Sequence, residues 1–277
     1  MNQDWSNLKK NGWSFLNTDH THYEWIVEAK EQLETKFHQK LYDYNDLRCG
    51  STWFVGTNFL DNSSNGNIGT KLMSRKIFNN ISKKFGNNIQ YWDKGQVSIC
   101  WPGYPKKDAK ETKKSYEFRI KRFASHIDGI IPFGSKKRRF AKEFHAFILG
   151  FPLHNNCLDC APLVLWEGSH KIFRKFFKEI YEGISSNKIS NIDITEFYNE
   201  CRKKVFKNCE VKKITPQFKQ PYLLDRHVLH GIDEWREKKN VKSNPKNHRL
   251  LNSLSDGRII VYFRPVFFNP HDWINME

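Results

Sequence analysis

The sequence predicts a mainly β chain with flanking helices, closed as a double-stranded β-helix of the jelly-roll, cupin-like barrel type, and three observations carry that reading. Short β-branched or aromatic runs bounded by Gly, Pro and Asn recur between residues 51 and 268. Helical periodicity gathers at the start of the chain and in one internal stretch. No segment repeats, and strands do not alternate with helices as they do around a parallel sheet. With 277 residues and 15% aromatic side chains there is material for a substantial core, so a single domain over 1–277 is expected.

Residues 1–48 read as a helical cover, because Trp25, Ile26, Ala29, Leu33 and Phe37 fall at helical spacing. A strand follows over 51–59, then a helical pattern over 70–85. Gln96 to Trp101 alternates polar Gln96 and Ser98 with apolar Val97, Ile99 and Trp101, so inside a barrel it offers hydrogen-bonding groups to a polar ligand. Lys106 to Lys114 is a charged loop, and a helical or irregular run from Ser115 leads to Ser125-His126-Ile127-Asp128-Gly129. Phe144–Phe151 and Pro162–Trp166 are apolar strands. Residues 168–215 form a helical insertion, with Phe173, Phe176, Phe177 and Ile180 on one face and Asp193 as an N-cap for the next helix. Pro221–His230 and Arg258–Phe268 are the last strands, separated by an Asn/Lys-rich loop over 236–257.

The 46 Lys+Arg against 30 Asp+Glu give a formal net charge of +16. Lys and Asn are spread along the whole chain, which describes a solvated basic surface better than a nucleic-acid footprint. Clusters such as Lys136-Lys137-Arg138-Arg139 and Lys238-Lys239 suit the steering of an anionic small molecule. No charged n-region precedes an apolar run after Met1 and no stretch has membrane-spanning length, so a cytoplasmic protein without a membrane partner is expected. In that compartment the six cysteines are expected as reduced thiols, with Cys157-Leu158-Asp159-Cys160 a plain loop.

The chemistry centres on His126 and Asp128. In a strand, residues i and i+2 share a face, so HxD becomes a chelating pair. Two histidines and one carboxylate make the facial triad that holds non-haem Fe(II) with three positions open. Candidates for the third ligand are His227, His230 and the less placed His145, His154 and His170. His230 is the choice: it ends an apolar run, Gly231 permits close approach, and His227 has the opposite strand parity and is expected to face outward. A 2-oxo diacid on such a metal also needs a cation for its distal carboxylate. Arg258 and Arg264 share parity on the last strand about 20 Å apart, so one of them can fill that role.

Together these residues resemble the phytanoyl-CoA dioxygenase type of Fe(II)/2-oxoglutarate-dependent dioxygenases. The likeness covers most of residues 50–268 and is carried by Thr52-Trp53-Phe54-Val55-Gly56, Gln96 to Pro105, His126-x-Asp128, Pro162-x-x-x-Trp166-x-Gly168-Ser169-His170, Leu229-His230-Gly231 and Gly257-Arg258. It implies His126, Asp128 and His230 as iron ligands and Arg258 as the 2-oxoglutarate anchor. Arg264 stands in reserve, because the segment between His230 and Arg258 is longer than in compact members. Gln96 is implied as a co-substrate contact and Trp166 as a substrate contact. The activity implied is hydroxylation of a small-molecule metabolite, using O₂ and releasing succinate and CO₂. Asp128 disfavours the halogenating variant, which lacks that carboxylate. A metal-binding barrel without 2-oxoglutarate turnover is the alternative, with a basic nucleic-acid-binding protein further behind.

Overall fold

A computed structural model describes residues 3–90, 92–109, 111–236 and 254–277. The chain begins with α1 (Gln3–Asn11), β1 (Trp13–Phe15) and α2 (Thr21–His38), followed by β2 (Leu47–Arg48), β3 (Trp53–Gly56), α3 (Arg75–Phe85) and β4 (Gln96–Cys100). After α4 (Lys113–Lys121) come β5 (Ile130–Phe133), β6 (Arg138–Ala141), β7 (Phe147–Pro152) and β8 (Leu163–Trp166). Three helices, α5 (Ser169–Ile180), α6 (Ser186–Ile189) and α7 (Thr195–Asn208), precede β9 (Val211–Ile214), β10 (Tyr222–Asp225) and β11 (His230–Ile232). The described chain ends with β12 (Arg258–Phe263) and α8 (Pro270–Asn275). The loop expected over 236–257, with Lys238 and Lys239, lies largely outside the described residues.

Seven antiparallel strands form one sheet in the order β1-β10-β7-β12-β4-β3-β2. A smaller sheet runs β11-β8-β9, and an isolated bridge between His126 and His230 adds the HxD segment to its edge. Sequence neighbours are therefore often not sheet neighbours, as a double-stranded β-helix requires. Ile148, Leu163, Leu165, Tyr222, Leu224 and Ile260 meet between the two sheets. The alternate residues point outward to the helices: Trp25 of α2 packs on Phe151 and Phe263, Phe85 of α3 on Phe147, and Phe206 of α7 on Trp166.

Several expectations change. The N-terminal cover contains strands β1 and β2 as well as helix, because short edge strands are satisfied by pairing with β10 and β3. The stretch 168–215 ends in strand, since β9 pairs along β8. Asp193 stands just before the helix it was expected to cap; its Oδ1 accepts from Thr195 N and Oγ1 at 3.0 and 2.6 Å. His227 faces the core and not solvent: it is fully buried against Trp273 and Phe177, because the chain turns at Arg226-His227 and strand parity does not cross a turn. Cys157 and Cys160 are joined as a disulfide and not reduced, their Cα atoms brought to 5.1 Å by a tight turn.

Candidate metal centre

His126 and Asp128 do not lie on a continuous strand. His126 occupies the single bridge beside β11, and Asp128 opens the turn into β5. Ile127 between them is buried in the hydrophobic core, whereas both neighbours turn their ligand atoms toward one another and His230. Reciprocal backbone bonds, His126 N to His230 O at 2.8 Å and His230 N to His126 O at 3.1 Å, lock the two histidines side by side. Their rings are 4.6 Å apart. Gly231 and Gly129 make this possible: a Cβ on either would run into the carbonyl oxygen of Phe123 or of Glu143. Helix α7 braces the segment from outside, where Tyr198 Oη accepts from Ile127 N at 3.3 Å and Arg202 donates to Ser125 O at 3.2 Å.

Asp128 Oδ1 lies 3.1 Å from His126 Nε2 and 3.6 Å from His230 Nε2. Each Nδ1 lies 3.0 Å from the carbonyl oxygen two residues upstream, Ala124 O and Val228 O respectively. Those contacts orient each ring so that Nε2 points into the cavity beside the carboxylate, as metal-binding imidazoles require. One ligand atom from each of the three residues falls within a 4.8 Å span, the one such group of three among the described residues. The donor set, two imidazoles and one carboxylate on one side of an open space, fits a divalent iron with free positions. Burial alone raises the Asp128 carboxyl, yet hydrogen bonds from both histidines and the Arg264 charge hold it well below the usual range. Burial pulls His126 down, but Asp128 outweighs this and raises it.

The cavity around this group measures about 390 Å³ and is lined by Trp53, Val55, Gln96, Glu143, Tyr262 and Arg264 among others. Arg264 donates to Asp128 Oδ2 at 3.3 Å and to Gln96 Oε1 at 2.6 Å, so the structure brings Gln96 and Arg264 to the three ligand candidates. Arg258 and Trp166 are not brought there. Trp166 follows inward Leu165 and therefore points out, packed on Phe123 and Phe206. Arg258 lies at the other end of β12, buried, in the lining of a separate pocket beside Cys157 and Cys160, with Tyr262 and Cys100 as its polar neighbours. Between Arg258 and the mouth, the same face of β12 carries Tyr262, whose hydroxyl meets that of Tyr222 at 3.0 Å. Sequence reasoning missed Glu143: it lines the cavity and is held at 2.9 Å by Nε2 of His145, whose Nδ1 faces Arg264 O at 2.9 Å. The E-x-H spacing was the signal available.

Fold and cluster together define a double-stranded β-helix with a two-histidine, one-carboxylate group at its mouth. No family model matches the sequence, and no curated protein matches it. Among solved structures the chain is similar to a prolyl hydroxylase from Trichoplax adhaerens in complex with a hypoxia inducible factor oxygen degradation domain peptide fragment, at 13% identity over 99% of this chain and 90% of that one, with a TM-score of 0.48. It is also similar to HygX from Streptomyces hygroscopicus with nickel, 2-oxoglutarate and hygromycin B bound, at 8% identity over 97% and 88%, TM-score 0.47. EctD from S. alaskensis with 2-oxoglutarate and 5-hydroxyectoine is 10% identical over 95% and 76%, TM-score 0.43. The fold assignment itself rests on the strand order given above.

Proposed function

We propose that this protein is an Fe(II)- and 2-oxoglutarate-dependent oxygenase of the phytanoyl-CoA dioxygenase type, which hydroxylates a small-molecule metabolite with release of succinate and CO₂. The observation that carries the reading is the convergence of His126, Asp128 and His230 with both Nε2 atoms aimed into one cavity. Iron, when bound, supplies the oxidising chemistry with O₂. The residues of the chain hold, orient and shield. His126, Asp128 and His230 hold the metal from one side, and Arg264 keeps the Asp128 carboxylate ionised and in place. Arg258 takes the distal carboxylate of 2-oxoglutarate; its charge is buried beside the neutral groups Tyr262, Tyr222 and Cys100, and a buried guanidinium is a costly group unless an anion completes it. Apolar Ile130, Ile148 and Leu163 exclude water around the reacting groups.

The test is succinate release on adding Fe(II) and 2-oxoglutarate across a metabolite panel, beside Asp128→Ala. That variant should keep its fold and lose at least about a hundredfold in metal affinity and turnover; full activity in it would sink the ligand assignment. Arg258→Ala should weaken 2-oxoglutarate binding far more than metal binding. Arg264→Ala should do the opposite, because Arg264 touches Asp128. The reverse order would move the anchor to Arg264, which already lines the cavity. Metal binding without any succinate would leave the metal-binding barrel as the reading.

A further inference from the structure

Besides Tyr262, which bonds to Tyr222, six basic or acidic side chains line the cavity: Arg48, His126, Asp128, Glu143, His230 and Arg264. Five are engaged with one another or with His145. Asp128 is shared by both histidines and Arg264, Arg264 also holds Gln96, and Glu143 is held by His145. Arg48 is the exception: among the described residues its guanidinium makes no hydrogen bond and no ion pair. Asp46, two residues earlier, feels its charge without pairing to it.

Arg48 is nevertheless held in a built place. It ends β2, the edge strand of the large sheet, and stands opposite Trp53 of β3. Its guanidinium lies 5.8 Å from the centre of the Trp53 indole. That ring is itself fixed, since Trp53 Nε1 donates to Ser98 Oγ at 3.0 Å. The cavity that Arg48 shares with the ligand candidates is lined largely by aliphatic side chains, Val55, Ile131, Ile148, Leu163 and Ile232, with Thr57, Gln96 and Tyr262 as its neutral polar groups. A forked cation on an aromatic platform at the lip, facing aliphatic walls with no remaining carboxylate to pair, is complementary to one kind of molecule.

We propose that Arg48 is the substrate-anion receptor of this cavity, and that the substrate is a small carboxylate-bearing molecule with an aliphatic body. The carboxylate is taken by Arg48 at the mouth, and the body lies along the apolar walls toward His126, Asp128 and His230. The net charge of +16 draws such an anion toward the protein, and Arg48 fixes its orientation. This inference rests on the oxygenase reading for its substrate but not for its binding site.

The experiment titrates matched pairs calorimetrically into the metal-free protein: straight-chain alkanoates from butyrate to octanoate, and the corresponding primary alkanamides. In the wild type at least one acid should bind roughly tenfold tighter than its amide, the size of a charge-assisted hydrogen-bond pair. Arg48→Gln should erase that preference, Arg48→Lys should keep part of it, and Arg48→Glu should shift it to the matching alkylamine. Arg48 is exposed, so these changes leave the core untouched. Acids and amides that bind alike, a preference that survives Arg48→Gln, a panel in which nothing binds, or an effect of Arg48→Gln confined to 2-oxoglutarate affinity would each overturn the proposal. Succinate release separates the two readings. An Arg48-dependent acid preference without any succinate sinks the oxygenase and leaves the anion site, whereas succinate without the preference does the reverse.

Discussion

At the scale of single residues, the candidate metal centre depends on groups outside its three ligand candidates. The Nδ1 contacts of His126 and His230 set which ring nitrogen faces the cavity, and each uses a carbonyl only two residues away. Tyr198 reaches the same segment from 71 residues downstream, through its hydroxyl and the Ile127 N–H. Tyr198→Phe keeps the ring and leaves that buried N–H without its acceptor. Its expected effect is a roughly tenfold loss of Fe(II) affinity with little change in secondary structure, measured by metal titration and circular dichroism. An unchanged affinity would show that the reciprocal backbone bonds to His230 suffice. HxD and His230 were legible in the sequence because spacing and strand parity are local. Glu143, His145 and Tyr198 were not, since their roles come from contacts that only the closed barrel creates.

At the scale of elements, register decides most of what the site contains. Along β12 and into the residue after it, the face that includes Ile260, Tyr262 and Arg264 turns to the barrel interior, while Ile259, Val261 and Phe263 turn to the helices. The same parity sends Leu165 inward and Trp166 outward, and a one-residue step is the whole difference between a cavity wall and the outer core. The close approach of β11 to the chain before His126 depends on Gly231, where a Cβ would meet the Phe123 carbonyl oxygen. Gly231→Ala should therefore cost about 1–3 kcal/mol in a urea melt and weaken metal binding as well, because it pushes the two histidines apart. Equal stability would mean that the strands part without strain. Parity read from sequence failed at His227 because a turn intervenes, and a turn of two residues at Arg226-His227 leaves little trace in the hydrophobic pattern.

At the scale of the whole molecule, stability depends on histidines buried uncharged between the sheets and the flanking helices. His22 of α2 is almost fully buried against Phe151, and neither of its ring nitrogens has a hydrogen-bond partner among the described residues. Burial lowers its pKa from 6.5 to about 4. As pH falls through 6.5 the unfolded chain takes a proton that the folded chain refuses, so stability is full above that pH and declines down to about 4. Between pH 7.5 and 5.0 this one group costs about 2 kcal/mol. Buried His227, also held well below its ordinary value, acts in the same direction. Denaturant melts at the two pH values should show a shallower loss in His22→Phe than in the wild type, and an equal loss in both would remove His22 as a cause. No helix among the described residues is long and apolar enough to cross a membrane.

By itself the sequence determined the barrel class and pointed to His126, Asp128 and His230 as one cluster, because strand periodicity and the HxD spacing are properties of neighbouring residues. The tertiary structure decided which inward-facing groups share the cavity. It placed Gln96, Glu143 and Arg264 beside the three ligand candidates, left Trp166 outside, set Arg258 in the lining of a separate pocket, and left Arg48 unpaired at the lip. The physical reason is that such neighbours come from strands far apart in sequence, joined by a register that hydrogen bonding across the sheet sets only once the barrel has closed.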